Sequence, residues 1–148
     1  MIVYFDTSAL IKRYVDESGS EEVIELLSAG ESIWGSVFIT QVEMAAALQK
    51  SIHVGNAPAD LLLEIWQDFQ EDWGSFTHIL ISGDIVARAV RIAWDYKLRG
   101  YDSIHLAAAL AWQEALAASI TFATYDRDLW QAARKAGMEV WPAGLVDG

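Results

Sequence analysis

Short apolar runs and helical stripes alternate along the whole chain. Ile2–Phe5 is apolar or aromatic throughout, the pattern of a buried strand. Residues 33–39, rich in β-branched and aromatic side chains, predict a second strand. Segments 77–81, 119–124 and 138–141 predict three more, the last closed by Pro142. Between these runs the apolar positions shift to helical spacing. Residues 8–15 give a short helix with Ala9, Leu10 and Tyr14. Residues 20–29 carry Val23, Ile24 and Leu27 behind Ser20 as the expected cap, and Gly30 ends them. Residues 40–52 set Val42, Ala45, Ala46 and Ile52 on the expected apolar side. A helix opening near Pro58 carries Leu61, Leu62, Ile65, Trp66 and Phe69. Another, from Ser82 or Gly83, carries Ile85, Val86, Ala89, Ile92 and Ala93 and closes before Gly100. An alanine-rich helix over 102–117 and a helix over 126–136, ended by Gly137, complete the series.

Strands that alternate with helices predict a parallel sheet covered on both faces, in a single unit spanning 1–148. In such a sheet the carboxyl ends of the strands and the starts of the following helices share one edge, where ligands bind. Four acids fall on that edge by chain direction. Asp6 directly follows the first strand, and Asp126 follows the fourth. Glu43 lies in the first turn of the helix after the second strand. The helix beginning at Asp102 runs almost without a linker into the fourth strand, so its start lies at the opposite, carboxyl edge.

Each acid also has a purely structural role open to it. Thr40 and Glu43 have the spacing of a capping box, and for Glu43 taken alone that is the favoured reading. Asp102 and Asp126 are suitable helix caps, worth about 1 kcal/mol each. Asp6 is harder to explain this way, because Val3-Tyr4-Phe5 and Ala9-Leu10 flank it with apolar residues. Two carboxylates about 4 Å apart repel by about 4 kcal/mol at an effective dielectric of about 20, so a cluster needs a cation. An oxygen-only set without His or Cys suits Mg2+ or Mn2+; an Arg or Lys from a partner is the other solution.

The remaining bulk properties narrow the setting. The chain has 148 residues, enough for one buried core, and no cysteine, so disulfide frameworks and thiolate metal sites are excluded. The charged N-terminal strand predicts no signal peptide. The longest apolar helical run, 104–112, is far shorter than the roughly 20 residues a membrane span needs. A cytoplasmic protein is expected. A net charge of −11 opposes loose binding to polyanions and favours a basic protein partner. Seven tryptophans suit either a core or an interface.

Four motifs in order resemble one family. Asp6-Thr7-Ser8-Ala9-Leu10-Ile11-Lys12, Thr40-x-x-Glu43, Asp102-Ser103-Ile104-His105-Leu106-Ala107 and Thr124-x-Asp126 resemble the motifs of the PIN-domain ribonucleases, and among them the VapC-like toxins of toxin–antitoxin pairs. The resemblance spans nearly the whole chain. It implies a three-layer α/β/α sandwich around a mainly parallel five-stranded sheet, and Mg2+-dependent endonucleolytic cleavage of RNA that leaves a 3′-hydroxyl and a 5′-phosphate. Mn2+ is a plausible substitute. Asp6, Asp102 and Asp126 would be metal ligands, and Glu43 a metal or water-positioning ligand. Ser8 and Thr124 would support the first and fourth acids, and Ser103 stands where the family more often has Ala. The implied partners are a small antitoxin with a basic segment and a second copy of the chain.

Other residues carry less. Asp128 is a candidate auxiliary ligand, although a first-turn carboxylate at a helix start is the favoured reading. Lys12, Arg13, Lys97 and Arg99 are candidates for phosphate positioning or for solvated helix faces. His105 is one turn beyond Asp102; a hydrogen-bonded core histidine is favoured over a role beside the site, and His53 and His78 are isolated. The alanine runs 45–47 and 107–109 suit close helix packing or a dimer face. An aspartate-nucleophile phosphatase would need an acid where Ser8 stands, and a receiver-type phosphoacceptor would need an acidic pair near the N-terminus. The stronger rival is an intact PIN fold that only binds or regulates.

Overall fold

A computed structural model describes residues 1–55 and 57–145, the side chains of 52–55 excepted. The expected apolar placement of Ile52, the isolation of His53 and the last three residues of the expected 1–148 unit thus lie outside the described residues. In chain order the elements are β1 (Ile2–Phe5), α1 (Thr7–Leu10) continued by a 3-10 turn (Ile11–Arg13), α2 (Ser20–Ser28) and β2 (Ile33–Val37). Then follow α3 (Thr40–Gly55), α4 (Ala59–Trp73), β3 (Thr77–Ile79), α5 (Gly83–Tyr96) and α6 (Gly100–Leu116). The chain closes with β4 (Thr121–Ala123), α7 (Arg127–Lys135) and β5 (Glu139–Trp141).

All five strands are parallel, in the order β3-β2-β1-β4-β5. From β1 the chain winds outward through β2 to β3, then returns to the other side of β1 to add β4 and β5. The order therefore reverses between β1 and β4, which are paired Phe5 to Ala123 at their carboxyl ends. Alternation along β1 sends Val3 and Phe5 to one face and Tyr4 to the other. Val3 and Phe5 meet Leu10, Val23, Leu27, Met44, Phe69 and Trp73 from α1 to α4. Tyr4 meets Ile92, Leu106, Ala108 and Leu129, among others, from α5 to α7. A sheet with helices on both faces opens a crevice where its strand order reverses, beyond the strand ends.

Several local expectations change. Helix α3 buries Thr40, Met44 and Leu48, while Val42, Ala45 and Ala46 are exposed, so its apolar side faces solvent and the buried stripe is the i, i+4, i+8 set. Ser20 does not cap α2. Gly19, at φ 93°, holds the cap position, and Ser20 instead accepts from the Glu17 amide and donates to the Val15 carbonyl. Thr40 is the first residue of α3 rather than its cap, with its hydroxyl bonded to Ser36 at 2.7 Å. Asp102 is the third residue of α6, because the helix starts two residues early behind Arg99. β1 matches its apolar run, β2 and β3 end two residues before theirs, and β4 and β5 begin after theirs start. Residues 107–109 are fully buried, so this alanine run serves helix packing.

Helix α6, which carries two residues of the crevice, packs over β2 at Gly35. A methyl group there would stand 2.6 Å from the Trp112 ring. Gly35→Ala should destabilise the protein by about 1–3 kcal/mol, the usual cost of overpacking, as measured by chemical denaturation. An unchanged midpoint would show that α6 is not seated through this contact.

Candidate active site

Two of the four acids cap helices and the other two lie in first turns. Asp6 caps α1, its Oδ1 accepting from the Ala9 amide at 3.0 Å, and Asp126 caps α7 through the Leu129 amide at 3.0 Å. Asp102 lies in the first turn of α6 and Glu43 in that of α3. The structure brings the starts of these helices to one edge of the sheet, on either side of the reversal between β1 and β4.

Asp6 is 3% exposed and is held by side chains from two strand ends. Ser8 Oγ lies 2.8 and 2.9 Å from its two carboxylate oxygens, and Thr124 Oγ1 donates to Oδ2 at 2.7 Å. The same hydroxyls order the β4–α7 turn. Ser8 Oγ accepts from the Tyr125 amide at 2.9 Å, and Thr124 Oγ1 accepts from the Asp126 amide at 3.0 Å. Thr124 thereby touches both Asp6 and the backbone of Asp126. Burial pushes the Asp6 carboxyl above its ordinary pKa, and the Thr124, Ser8 and Ala9 hydrogen bonds offset only part of this.

Glu43 does not close a capping box with Thr40. Its Oε1 accepts from His105 Nε2 at 2.7 Å. Burial raises the Glu43 carboxyl, but the combined influence of His105, with a smaller one from Thr7, outweighs it and leaves the group below its ordinary value. His105 itself is 1% exposed, with Nδ1 2.8 Å from the Tyr4 hydroxyl. It is thus both a hydrogen-bonded core residue and a direct contact of Glu43.

Asp102 and Asp126 share one cation. Arg99 Nε donates to Asp102 Oδ2 at 2.9 Å, and a terminal nitrogen of the same guanidinium donates to Asp126 Oδ2 at 2.8 Å. Burial raises the Asp102 carboxyl, the Arg99 hydrogen bond lowers it and the charge of Asp126 raises it again, for a net rise. Among the four basic residues considered, Arg99 is the one that reaches the acids. Lys12 bonds Glu17 and the Ser18 carbonyl and covers the Tyr125 ring, and Arg13 pairs with Asp72. Lys97 ends α5 in a left-handed conformation. Asp128 is exposed in the first turn of α7, and Ser103 is buried with its hydroxyl on the Arg99 carbonyl.

Among the described residues, no three Asp, Glu or His side chains are arranged, as they stand, to hold a metal ion. Each carboxylate is engaged elsewhere: Asp6 by hydroxyls, Glu43 by His105, and the other two by Arg99. The donor set nevertheless fits a hard cation. It is all oxygen, and Asp102 and Asp126 already direct one oxygen each at a common positive group. A cleft of about 690 Å3, lined by Glu43, Arg99, Gly100, Tyr101, Asp102 and Ile104, opens beside them. Tyr4 was not legible as a contributor in the sequence, and Arg99, a candidate for phosphate positioning there, was not legible as the bridge between two acids. Arg99 is one turn before Asp102, a faint signal, and Tyr4 reads as a strand core residue.

The family model for the PIN domain matches residues 3–135, and the chain belongs to the PIN-domain family. It is 29% identical over 144 residues to ribonuclease VapC45 and to ribonuclease VapC49 of Mycobacterium tuberculosis, across 97% of this chain and of each relative. Among solved structures, a toxin–antitoxin complex from Klebsiella pneumoniae aligns at a TM-score of 0.54 and 25% identity, covering 80% of this chain and 83% of the other. VapBC2 from Rickettsia felis bound to a promoter DNA fragment aligns at a TM-score of 0.65 and 12% identity, over 95% and 99% of the two chains. FitAcB from Neisseria gonorrhoeae aligns at 0.64 and 16% identity, over 95% and 96%. These matches bear out the family resemblance and the three-layer fold around a parallel sheet.

The raised Asp6 carboxyl has a measurable consequence in metal-free buffer. A carboxyl whose folded-state pKa is raised favours the folded state at low pH, and that contribution is lost as pH climbs through the raised value. Wild type should therefore lose stability relative to Asp6→Asn as pH rises from about 4, the ordinary aspartate value, towards neutrality. Thermal melts with a chelator present report the difference; parallel curves across that range would contradict the assignment.

Proposed function

We propose that the chain is a metal-dependent endoribonuclease that cleaves RNA phosphodiester bonds as the toxin of a toxin–antitoxin pair, in the cytoplasm. The observation that carries this reading is the convergence of Asp6, Glu43, Asp102 and Asp126 at the crevice where the strand order reverses. The family membership and the similarity to two VapC ribonucleases support it.

Asp6, Asp102 and Asp126 would hold Mg2+, or Mn2+ in its place, which supplies a lowered pKa for an attacking water and neutralises charge on the scissile phosphate. The chain's own residues set the conditions for this. Ser8 and Thr124 keep the Asp6 carboxylate in one orientation, and the Asp126 cap is fixed through its amide on Thr124. Glu43 is an anion held by His105 and lines the cleft, where it can orient a water. Arg99 is largely exposed and can exchange its carboxylates for a phosphate of the substrate. Asp128, exposed in the first turn of α7, plays a minor part.

The partners follow from charge and from exposed surface. A net charge of −11 and a carboxylate cluster already bridged by a guanidinium suit an inhibitory basic segment from a small antitoxin. The similarity to solved toxin–antitoxin complexes supports that reading. A homodimer is proposed through α5, where Val86, Val90 and Trp94 form an exposed stripe at i, i+4 and i+8 and Trp94 is 82% exposed. A monomeric mass in solution would contradict the dimer.

Cleavage of RNA by the purified protein tests the proposal. Wild type with Mg2+ should cut, and Asp6→Asn should lose about 100-fold or more in rate, exceeding the ten- to hundredfold typical of groups that only support a metal ligand. Its circular dichroism should stay native. A basic partner encoded beside the chain should abolish cleavage when titrated in. Equal rates for the two proteins, with contaminating nuclease excluded, would overturn the assignment.

A further inference from the structure

A line of hydrogen bonds runs from the middle of the sheet to the edge of the site. It begins at the Val37 amide, which donates to the Tyr4 hydroxyl at 3.3 Å. Tyr4 is fully buried, stacked on Phe122 at 5.1 Å and 12°, with its ring edge-on to His105. Its hydroxyl lies 2.8 Å from His105 Nδ1, and His105 Nε2 lies 2.7 Å from Glu43 Oε1. The line joins β1, α6 and α3, elements whose cores lie on opposite faces of the sheet.

The chemistry gives this line a direction. A phenol that accepts an amide hydrogen has its own proton left to donate, and burial keeps the Tyr4 phenol protonated. His105 Nδ1, 2.8 Å away, can accept it. A neutral imidazole with Nδ1 as acceptor carries its hydrogen on Nε2, which faces the Glu43 carboxylate. Packing alone does not hold Glu43 in place, because α3 buries Met44 and Leu48 while Val42, Ala45 and Ala46 around it are exposed.

We infer that Tyr4 and His105 are positioning residues for Glu43. Tyr4 sets the tautomer of His105, and His105 ties one Glu43 oxygen so that the other faces the cleft. The inference rests on the proposed role of Glu43 in the site, and it adds two residues that touch neither substrate nor metal. Groups that orient a reactive or ligating side chain in this way typically carry about a ten- to hundredfold effect.

Two measurements test it. In 15N-histidine-labelled, metal-free protein near neutral pH, His105 should show a bare Nδ1 and a protonated Nε2, and Tyr4→Phe should abolish that preference. A protonated Nδ1 in wild type would overturn the inference, and the wild-type spectrum decides this even if Tyr4→Phe does not fold. In RNA cleavage, His105→Gln keeps an amide nitrogen near the Nε2 position, whereas His105→Asn offers one only near Nδ1. His105→Gln should stay within a few-fold of wild-type kcat and His105→Asn should fall by about 10- to 100-fold, with KM unchanged in both. Equal kcat for the two variants, high or low, would also overturn it. The spectroscopic result does not require catalysis, so a protein with the expected tautomer but no cleavage would refute the function and leave the hydrogen-bond line standing.

Discussion

The carboxylate of Asp6 has almost no water to solvate it, and much of the architecture around the crevice answers that fact. An ionised group buried without partners would cost several kcal/mol, a large share of the stability of a domain this size. The chain meets the cost with short-range donors from both sides of the strand-order reversal: Ser8 and the Ala9 amide after β1, and Thr124 after β4. Because two of these donors are hydroxyls that also accept backbone amides, the group that solvates Asp6 simultaneously shapes the turn carrying Asp126. The compensation is incomplete, and the carboxyl remains raised. A buried carboxyl left in that state gains from any cation that reaches it.

The other three acids are balanced differently, and the differences define separate roles. Glu43 is held by His105, a buried side chain that sits too deep to leave. Asp102 and Asp126 are balanced by Arg99, whose side chain is 78% exposed and contacts both through charge-assisted hydrogen bonds. Exposed ion pairs of this kind contribute little to stability and exchange readily. The site thus combines two fixed anchors, Asp6 and Glu43, with a pair of carboxylates whose counter-ion is replaceable. That combination is what a site binding a divalent ion and a phosphate, or an inhibitor's basic side chain, requires.

Much of this was legible in the sequence because it follows from chain direction. The strand–helix alternation placed all four acids at one edge, and the apolar runs located every strand within a few residues. Where a local pattern has two solutions, the fold takes the one that packing selects. On α3 the apolar residues Val42, Ala45 and Ala46 outnumber the buried Met44 and Leu48, so counting apolar positions selected the wrong face. Ser20 and Thr40 are good capping types, yet both lie inside their helices and bond groups that precede them: the Glu17 amide and Val15 carbonyl, and the Ser36 hydroxyl. Tyr4 and His105 are 101 positions apart, and no periodicity links a strand hydroxyl to a ring in the sixth helix. Arg99 was one of four basic residues near the acids, and only three-dimensional placement distinguishes it from Lys12, which is drawn onto Tyr125.

These carboxylates are expected to form one cation site with an exchangeable internal counter-ion. Anomalous diffraction from crystals grown with Mn2+ tests it most directly. A manganese peak should appear among Asp6, Asp102 and Asp126, with the Arg99 guanidinium displaced from both carboxylates. A peak elsewhere, or no peak with Arg99 still bridging Asp102 and Asp126 at saturating Mn2+, would contradict it.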